Sequence, residues 1–181
     1  MLGRNDDARE YAMKEEDEAK RDDMLCWCLE GEDKRRHTQR VAERYLGRFL
    51  FQLTFASKSI ESCEAVEQIL KILFPDENYQ YHHNTLQYNA IDKAFLLCKE
   101  QRWDEVIETL HKARSHAEAM VQYSKQTNYR FTAPLFNLVE GEKPETDSDV
   151  TDVDNFIRCL NNNRCFDPIR EREDFKALLN R

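Results

Sequence analysis

The chain has 181 residues, 34% of them charged, and a formal net charge of −8. That length suits one domain, or one domain with an appendage, and is enough to bury most apolar side chains without a disulfide or structural metal. Only four Gly and four Pro argue against a loop-rich β fold, the acidic balance argues against a large nucleic-acid footprint, and no apolar run approaches the ~20 residues that a membrane-spanning helix needs.

Residues 1–23 are nearly all polar, with no apolar core of a secretory signal. The six cysteines, Cys26, Cys28, Cys63, Cys98, Cys159 and Cys165, include no CxxC pair. Both features point to a reduced, cytoplasmic protein. Residues 4–29 read as a long charged helix with sparse apolar positions. Apolar density rises only near Met24, so 1–23 is set apart as a polar helix or tail and 24–181 as the folded domain. Gly31 is expected to end this first helix and Asp33 to cap the next.

That next helix, 34–56, carries a stripe of Val41, Tyr45, Leu46, Phe49, Leu50 and Leu53, broadened by Phe51 and Phe55. Ser59 followed by Ser62 offers a cap for a helix over 60–74 with Val66, Ile69, Leu70 and Leu73 inside, and Pro75 stops it. Residues 88–123 give the clearest signal. Ala90, Ile91, Ala94, Phe95, Leu97 and Cys98 line one helix, a polar break follows at 99–102, and Trp103 opens a second. That second helix carries Val106, Ile107, Leu110, Ala113, Ala117 and Met120 on one side. Two such helices joined by a tight turn are the unit of helical-repeat proteins, and the pairing recurs at 34–74 and 80–124.

Residues 125–152 read as irregular, with Tyr129, Phe131, Leu135 and Phe136 in an extended segment against the helices. Pro134 rules out a regular interior strand there. An acidic loop over about 140–155 holds seven acids against one base, Lys143. A short helix follows over 153–160, the run 161–163 (NNN) breaks it, and Pro168 is expected at the first position of a closing helix with Ile169, Phe175, Leu178 and Leu179 inside.

Chemistry is hard to place on this chain. His82 and His83 are adjacent and diverge by about 100° on a helix, and His111 and His116 are five apart and also diverge. Neither set has a Cys or carboxylate at metal spacing. Cys26 and Cys28 fall on nearly opposite helix faces, while Cys159 and Cys165 can approach each other across 161–163. The acidic loop fails as a calcium loop, having Asp152 where Gly is required and Arg158 where Glu is required. No Gly-rich phosphate loop or catalytic Ser, His and Asp grouping is found. No catalytic residue, metal or cofactor is therefore expected. The sharpest charged feature is a ridge of Arg36, Arg40, Arg44 and Arg48, repeating every four residues. It contacts an acidic partner, phosphate or nucleic acid, or it pairs with the acidic first helix and with Glu32, Asp33 and Glu43; the second reading is favoured.

Five stretches carry a resemblance to a known family: LEGED at 29–33, LFPDENYQYHH at 73–83, WDEVIETLHKA at 103–113, YRFTAPLFNLVE at 129–140 and CFDPIREREDFKALL at 165–179. In that order they resemble the C-terminal, tetratricopeptide-like (TPR-like) helical half of bacterial helix-turn-helix regulators of the XRE (Cro/CI-like) class, over about 22–180. The resemblance implies a sensing or oligomerising half. No helix-turn-helix is found, which fits an excised sensor half, a truncated chain or a stand-alone relative, with no direct contact to nucleic acid.

The expected fold is all-α: an antiparallel helix-hairpin (TPR-like) repeat with a C-terminal closing helix. The expected function is a non-catalytic regulatory module that binds a protein or peptide, or senses an effector, with a structural homo-oligomerisation unit as the alternative and an enzyme a distant third. The partner is a protein or peptide, or a second copy of the chain, and no membrane. The partner-binding candidates are Arg36, Arg40, Arg44 and Arg48, with Tyr81, His82 and Tyr88.

Overall fold

The computed structural model describes residues 3–56, 59–142 and 150–180. Those residues are mostly helical. The helices are α1 (Gly3–Met13), α2 (Glu18–Cys28), α3 (Gly31–Ala56), α4 (Ile60–Leu73), α5 (His82–Lys99), α6 (Trp103–Ser124), α7 (Asp152–Asn162) and α8 (Glu173–Leu179), with a 3-10 helix over Arg164–Ile169 between the last two. Two short strands, β1 (Asn128–Arg130) and β2 (Glu140–Glu142), form an antiparallel ribbon. Part of the acidic run, 143–149, and the side chain of Phe55 lie outside the described residues.

Local signals set most helix ends. Ser59 and Ser62 cap α4 reciprocally, each hydroxyl accepting from the other's backbone N–H at 3.2 Å. Thr151 and Asp154 do the same for α7. The turn between α5 and α6 places Gln101 at φ +58, and the Arg102 N–H reaches back to the Leu97 carbonyl at 3.1 Å. This is a Schellman ending, in which a left-handed residue lets the chain satisfy the last carbonyls. Ala90 and Ala94 on α5, with Ala113 and Ala117 on α6, are buried. Small side chains there let the two helix backbones pack closely.

Two apolar cores result. One joins the α5/α6 hairpin to the C-terminal elements through Leu97, Leu110, Phe156, Leu160, Phe166 and Phe175. Phe166 is stacked on Phe95 at 5.5 Å and tilted against Phe175 at 5.9 Å. The other joins α3, α4 and the ribbon through Leu50, Leu70, Phe74, Phe131, Phe136 and Val139. The ribbon hangs on the 75–80 turn by side chains: Asn78 Nδ2 donates to the Arg130 carbonyl at 3.1 Å, and Thr132 donates to Asp76. Gly141 lies under the Tyr129 ring, where a Cβ would come within 3.2 Å of the phenol.

Four expectations need correction. The charged helix over 4–29 is two helices, broken at 14–17, because Asp17 caps α2 by accepting from the Lys20 N–H at 3.0 Å. The division at residue 23 therefore falls inside α2. Gly31, at φ +57, opens α3 rather than closing the helix before it. Pro168 lies within the 3-10 helix, and α8 starts at Glu173. Arg170 explains the stop, since its guanidinium donates to the Asn161 and Asn163 carbonyls at 2.9 and 3.0 Å and holds the chain back against the end of α7. The segment expected to be irregular over 125–152 contains the ribbon, whose strands are joined through a tight turn in which the Phe136 N–H donates to the Ala133 carbonyl at 2.8 Å. Pro134 sits exposed in that turn and not in a strand.

Candidate functional site

The arginine ridge of α3 spends most of its charge inside the chain. Arg44 pairs with Glu18 and Asp22 of α2, and Arg48 with Glu18 at 3.3 Å. Arg36 bridges Glu32 at 3.3 Å and Glu140 of β2 at 3.0 Å, and these carboxylates, Glu140 first, raise its pKa. Arg40 reaches the Glu140 carbonyl at 3.5 Å. Asp22 is buried, and His37 Nε2 lies 3.2 Å from its carbonyl oxygen. Burial, and secondarily Arg40, push His37 below its ordinary value. The ridge thus docks α2 and the ribbon onto α3, with Arg48 the most exposed of its paired members.

Tyr81 and His82 do not face solvent either. His82 is buried against Phe74 and Phe131 at ring distances of 5.3 and 5.8 Å. Its Nε2 lies 3.3 Å from the Glu43 carboxylate, close enough for attraction but not aligned as a hydrogen bond. Tyr81 donates to the same carboxylate, and its pKa is raised by burial first and Glu43 second. Tyr88 alone of the three is open, 53% exposed on the outer stripe of α5 with Asn84 and Asp92.

The tertiary fold creates an arrangement that sequence spacing could not show. His83 of α5 and His116 of α6 meet with Nδ1 atoms 3.0 Å apart and ring centroids 5.2 Å apart. The nitrogens face each other nearly head-on. One ring donates and the other accepts, so the pair holds one proton between them. A metal in line would need about 4 Å between the nitrogens, so the pair as it stands does not clasp one. Among the described residues no group of three or more His, Cys, Asp or Glu is gathered to hold a metal. Tyr79 packs edge-on against both rings. Burial pushes both imidazoles down to about 4, with His116 adding to the effect on His83. Beside them Glu67, Asn89, Lys93, Thr109, Lys112 and His116 line a cavity of about 20 Å³, room for one water.

A wider groove of about 620 Å³ runs along the ribbon, lined by Gln80, Gln126, Tyr129, Arg130, Glu140 and Glu142. It is open, and apart from Tyr129 and Gly141 its lining residues carry amide or charged side chains. The outer edge of each strand is partly covered by side chains: Gln80 and Asn78 donate to the Arg130 carbonyl, and Arg40 to that of Glu140.

The large exposed hydrophobics cluster elsewhere. Among the described residues there are ten, and six of them lie on α1–α3: Tyr11, Met13, Trp27, Tyr45, Phe49 and Phe51. Trp27 is 84% exposed. Tyr45 and Phe49 stand one turn apart on α3, while Phe51 shares its side with Arg48.

The chain matches no family model, no curated protein and no solved structure. Among the described residues no helix is long and apolar enough to cross a membrane.

Proposed function

We propose that this chain is a non-catalytic protein-interaction module of a transcriptional regulator, acting in the cytoplasm, whose partner docks on the outer face of α1–α3. The observation that carries this reading is the presence of six exposed large hydrophobics, five of them aromatic, on three helices. Scattered exposed apolar residues are ordinary. Exposed Tyr, Trp, Phe and Met on helices that also carry partly exposed arginines match the composition of an interface core. The helix pairs α3/α4 and α5/α6 support a TPR-like scaffold beneath that face, and the five ordered motifs support the regulatory half of an XRE-class protein. Binding there would shift the activity of an attached or partner DNA-binding domain, by selecting one arrangement of the two.

The alternative partner is a second copy. The same face favours it, because α1 and α2 carry little apolar surface inward and much outward. Both readings are tested with Trp27→Ser combined with Phe49→Ser and Phe51→Ser. Light scattering over a range of concentrations gives the mass of wild type and variant. A wild-type dimer that becomes monomeric in the variant makes the partner a second copy. A wild-type monomer that binds one defined protein, with binding lost in the variant, makes the partner that protein. Unchanged mass and unchanged partners, with an unchanged circular dichroism spectrum, would sink both.

A further inference from the structure

α3 is 26 residues long and exposes one seam along much of its length. Arg35, Thr38, Ala42, Tyr45, Phe49 and Gln52 are all exposed, and they follow one another at spacings of three and four in turn. That alternation lets one helix lay a continuous row of side chains against another. Tyr45 and Phe49, at 45% and 50% exposure, form the apolar centre of the row. Ala42 beside them is small enough for a second backbone to come close. α2 packs along a neighbouring side of α3, where Cys26 reaches Thr38 at 3.9 Å and Arg44 takes Asp22, and it leaves both rings open.

The charge of this seam has one sign. Lys34 and Arg35 are exposed at its start. Arg48, one turn from Tyr45, is 67% exposed while touching Glu18 at 3.3 Å. Between residues 34 and 52 the chain has a single acid, Glu43. Its side chain is 12% exposed and lies 3.3 Å from buried His82, on the inner side of α3. Arg36 and Arg44 point elsewhere, to Glu140 and to Glu18 and Asp22.

We propose that this seam receives one amphipathic helix of a partner protein, with apolar residues at heptad spacing and carboxylates along its flanks. The proposal rests on the docking reading above and names the chemistry of the partner. The apolar row of the incoming helix covers Ala42, Tyr45 and Phe49, and its acids meet Lys34, Arg35 and Arg48. Burial of the two rings supplies affinity, and charge selects the partner. A second copy of the seam brings no carboxylate in return, and a parallel copy sets Arg35 against Arg35, so like charge disfavours self-pairing here. A nucleic-acid duplex offers charge without an apolar row, and it meets Glu32 and Asp33 in the first turn of α3.

The test titrates the full, isotope-labelled chain with two synthetic peptides of about three heptads. Both carry Leu at the seam positions; one has Glu on its flanks and the other Lys. Fluorescence anisotropy gives the affinities, and amide NMR shifts map the contact. The acidic peptide should bind about tenfold more tightly than the basic one, weaken as salt is added, and shift the amides of 35–52 together. Lys34→Glu combined with Arg35→Glu should invert the preference, and both positions are exposed, so the fold is kept. Tyr45→Ser with Phe49→Ser should abolish binding of either peptide. Equal affinities, an unchanged preference in the charge-reversed variant, or shifts away from α3 would overturn the proposal. So would a homodimer contact that maps to the same amides, or a DNA duplex that shifts them at lower concentration than the acidic peptide. Partner binding that still depends on Trp27 and Phe51, with neither peptide touching α3, sinks the acidic helix and leaves the docking face standing. Partner binding indifferent to Trp27, Phe49 and Phe51 sinks the docking face itself.

Discussion

The N-terminal helices and the C-terminal half are held by different forces. α2 meets α3 through charges, Arg44 to Asp22 and Glu18 and Arg48 to Glu18, and Arg36 ties α3 to Glu140 of the ribbon. α5–α8 meet through rings and aliphatic side chains, with Phe156, Phe166 and Phe175 fully buried. Hydrophobic burial scales with area and tolerates small shifts. An ion pair depends on its geometry and on both partners being present. The C-terminal half is therefore held by burial, while α2 is attached to α3 mainly by charge, and α3 itself reaches an apolar core through Leu50.

The largest expected effect breaks the burial side of this contrast. Phe166→Ala removes a ring packed between Phe95 and Phe175 and should cost about 3–5 kcal/mol in chemical denaturation. Loss across the whole molecule is expected; loss confined to α1–α3 would reverse the assignment of the two halves. Next comes the ionic side. Asp22→Ala strips Arg44 of its buried partner and should cost about 1–3 kcal/mol. Hydrogen exchange should show α1 and α2 opening while α5–α8 stay protected.

The third prediction uses pH to sharpen the contrast within the C-terminal half. Burial holds His83 and His116 down to about 4 in the folded chain, below the ordinary imidazole value of about 6.5. Between those values the unfolded chain binds more protons, so stability is full above about pH 6.5 and declines as pH falls toward 4. Of their charged surroundings, Glu77 opposes the shift of His83 and His82 adds to it. Thermal unfolding from pH 7.5 to 4.5 should show the decline, and His83→Gln should flatten it. An equal slope in that variant would remove the pair from the account. The smallest effect is local. Gln101→Gly relieves a side chain from positive φ in the α5/α6 turn and should stabilise by roughly 0.5–1 kcal/mol. A destabilised variant would mean that the Gln101 side chain contributes more than its backbone costs.

Much of the fold was legible in the sequence, for identifiable reasons. The α5/α6 hairpin follows from apolar residues at three- and four-residue spacing around a polar break, and α4 from Ser59, Ser62 and Pro75. These are local signals, complete within a few turns. The misjudged boundaries turned on competing local options. Asp17 could ride within one long helix or cap a second, and Pro168 could open an α-helix or sit in a 3-10 turn; Arg170, reaching back to Asn161 and Asn163, holds the turn. The candidate residues fared unevenly. The four arginines were correctly seen as one ridge with acidic neighbours, but the Glu140 contact spans the chain and has no sequence signature. Tyr81 and His82 were candidates for partner contact, and both turn toward Glu43 within the fold.

The sequence by itself determined which segments are helical, where most of them stop and which stripe each buries, because periodicity and capping act over neighbouring residues. Only the tertiary structure decided that His83 faces His116, that Arg36 reaches Glu140, and that most exposed aromatics lie on α1–α3. Those pairings depend on how helices rotate and stack against one another, and that is fixed by the summed packing of whole faces rather than by any one residue's neighbours in the chain.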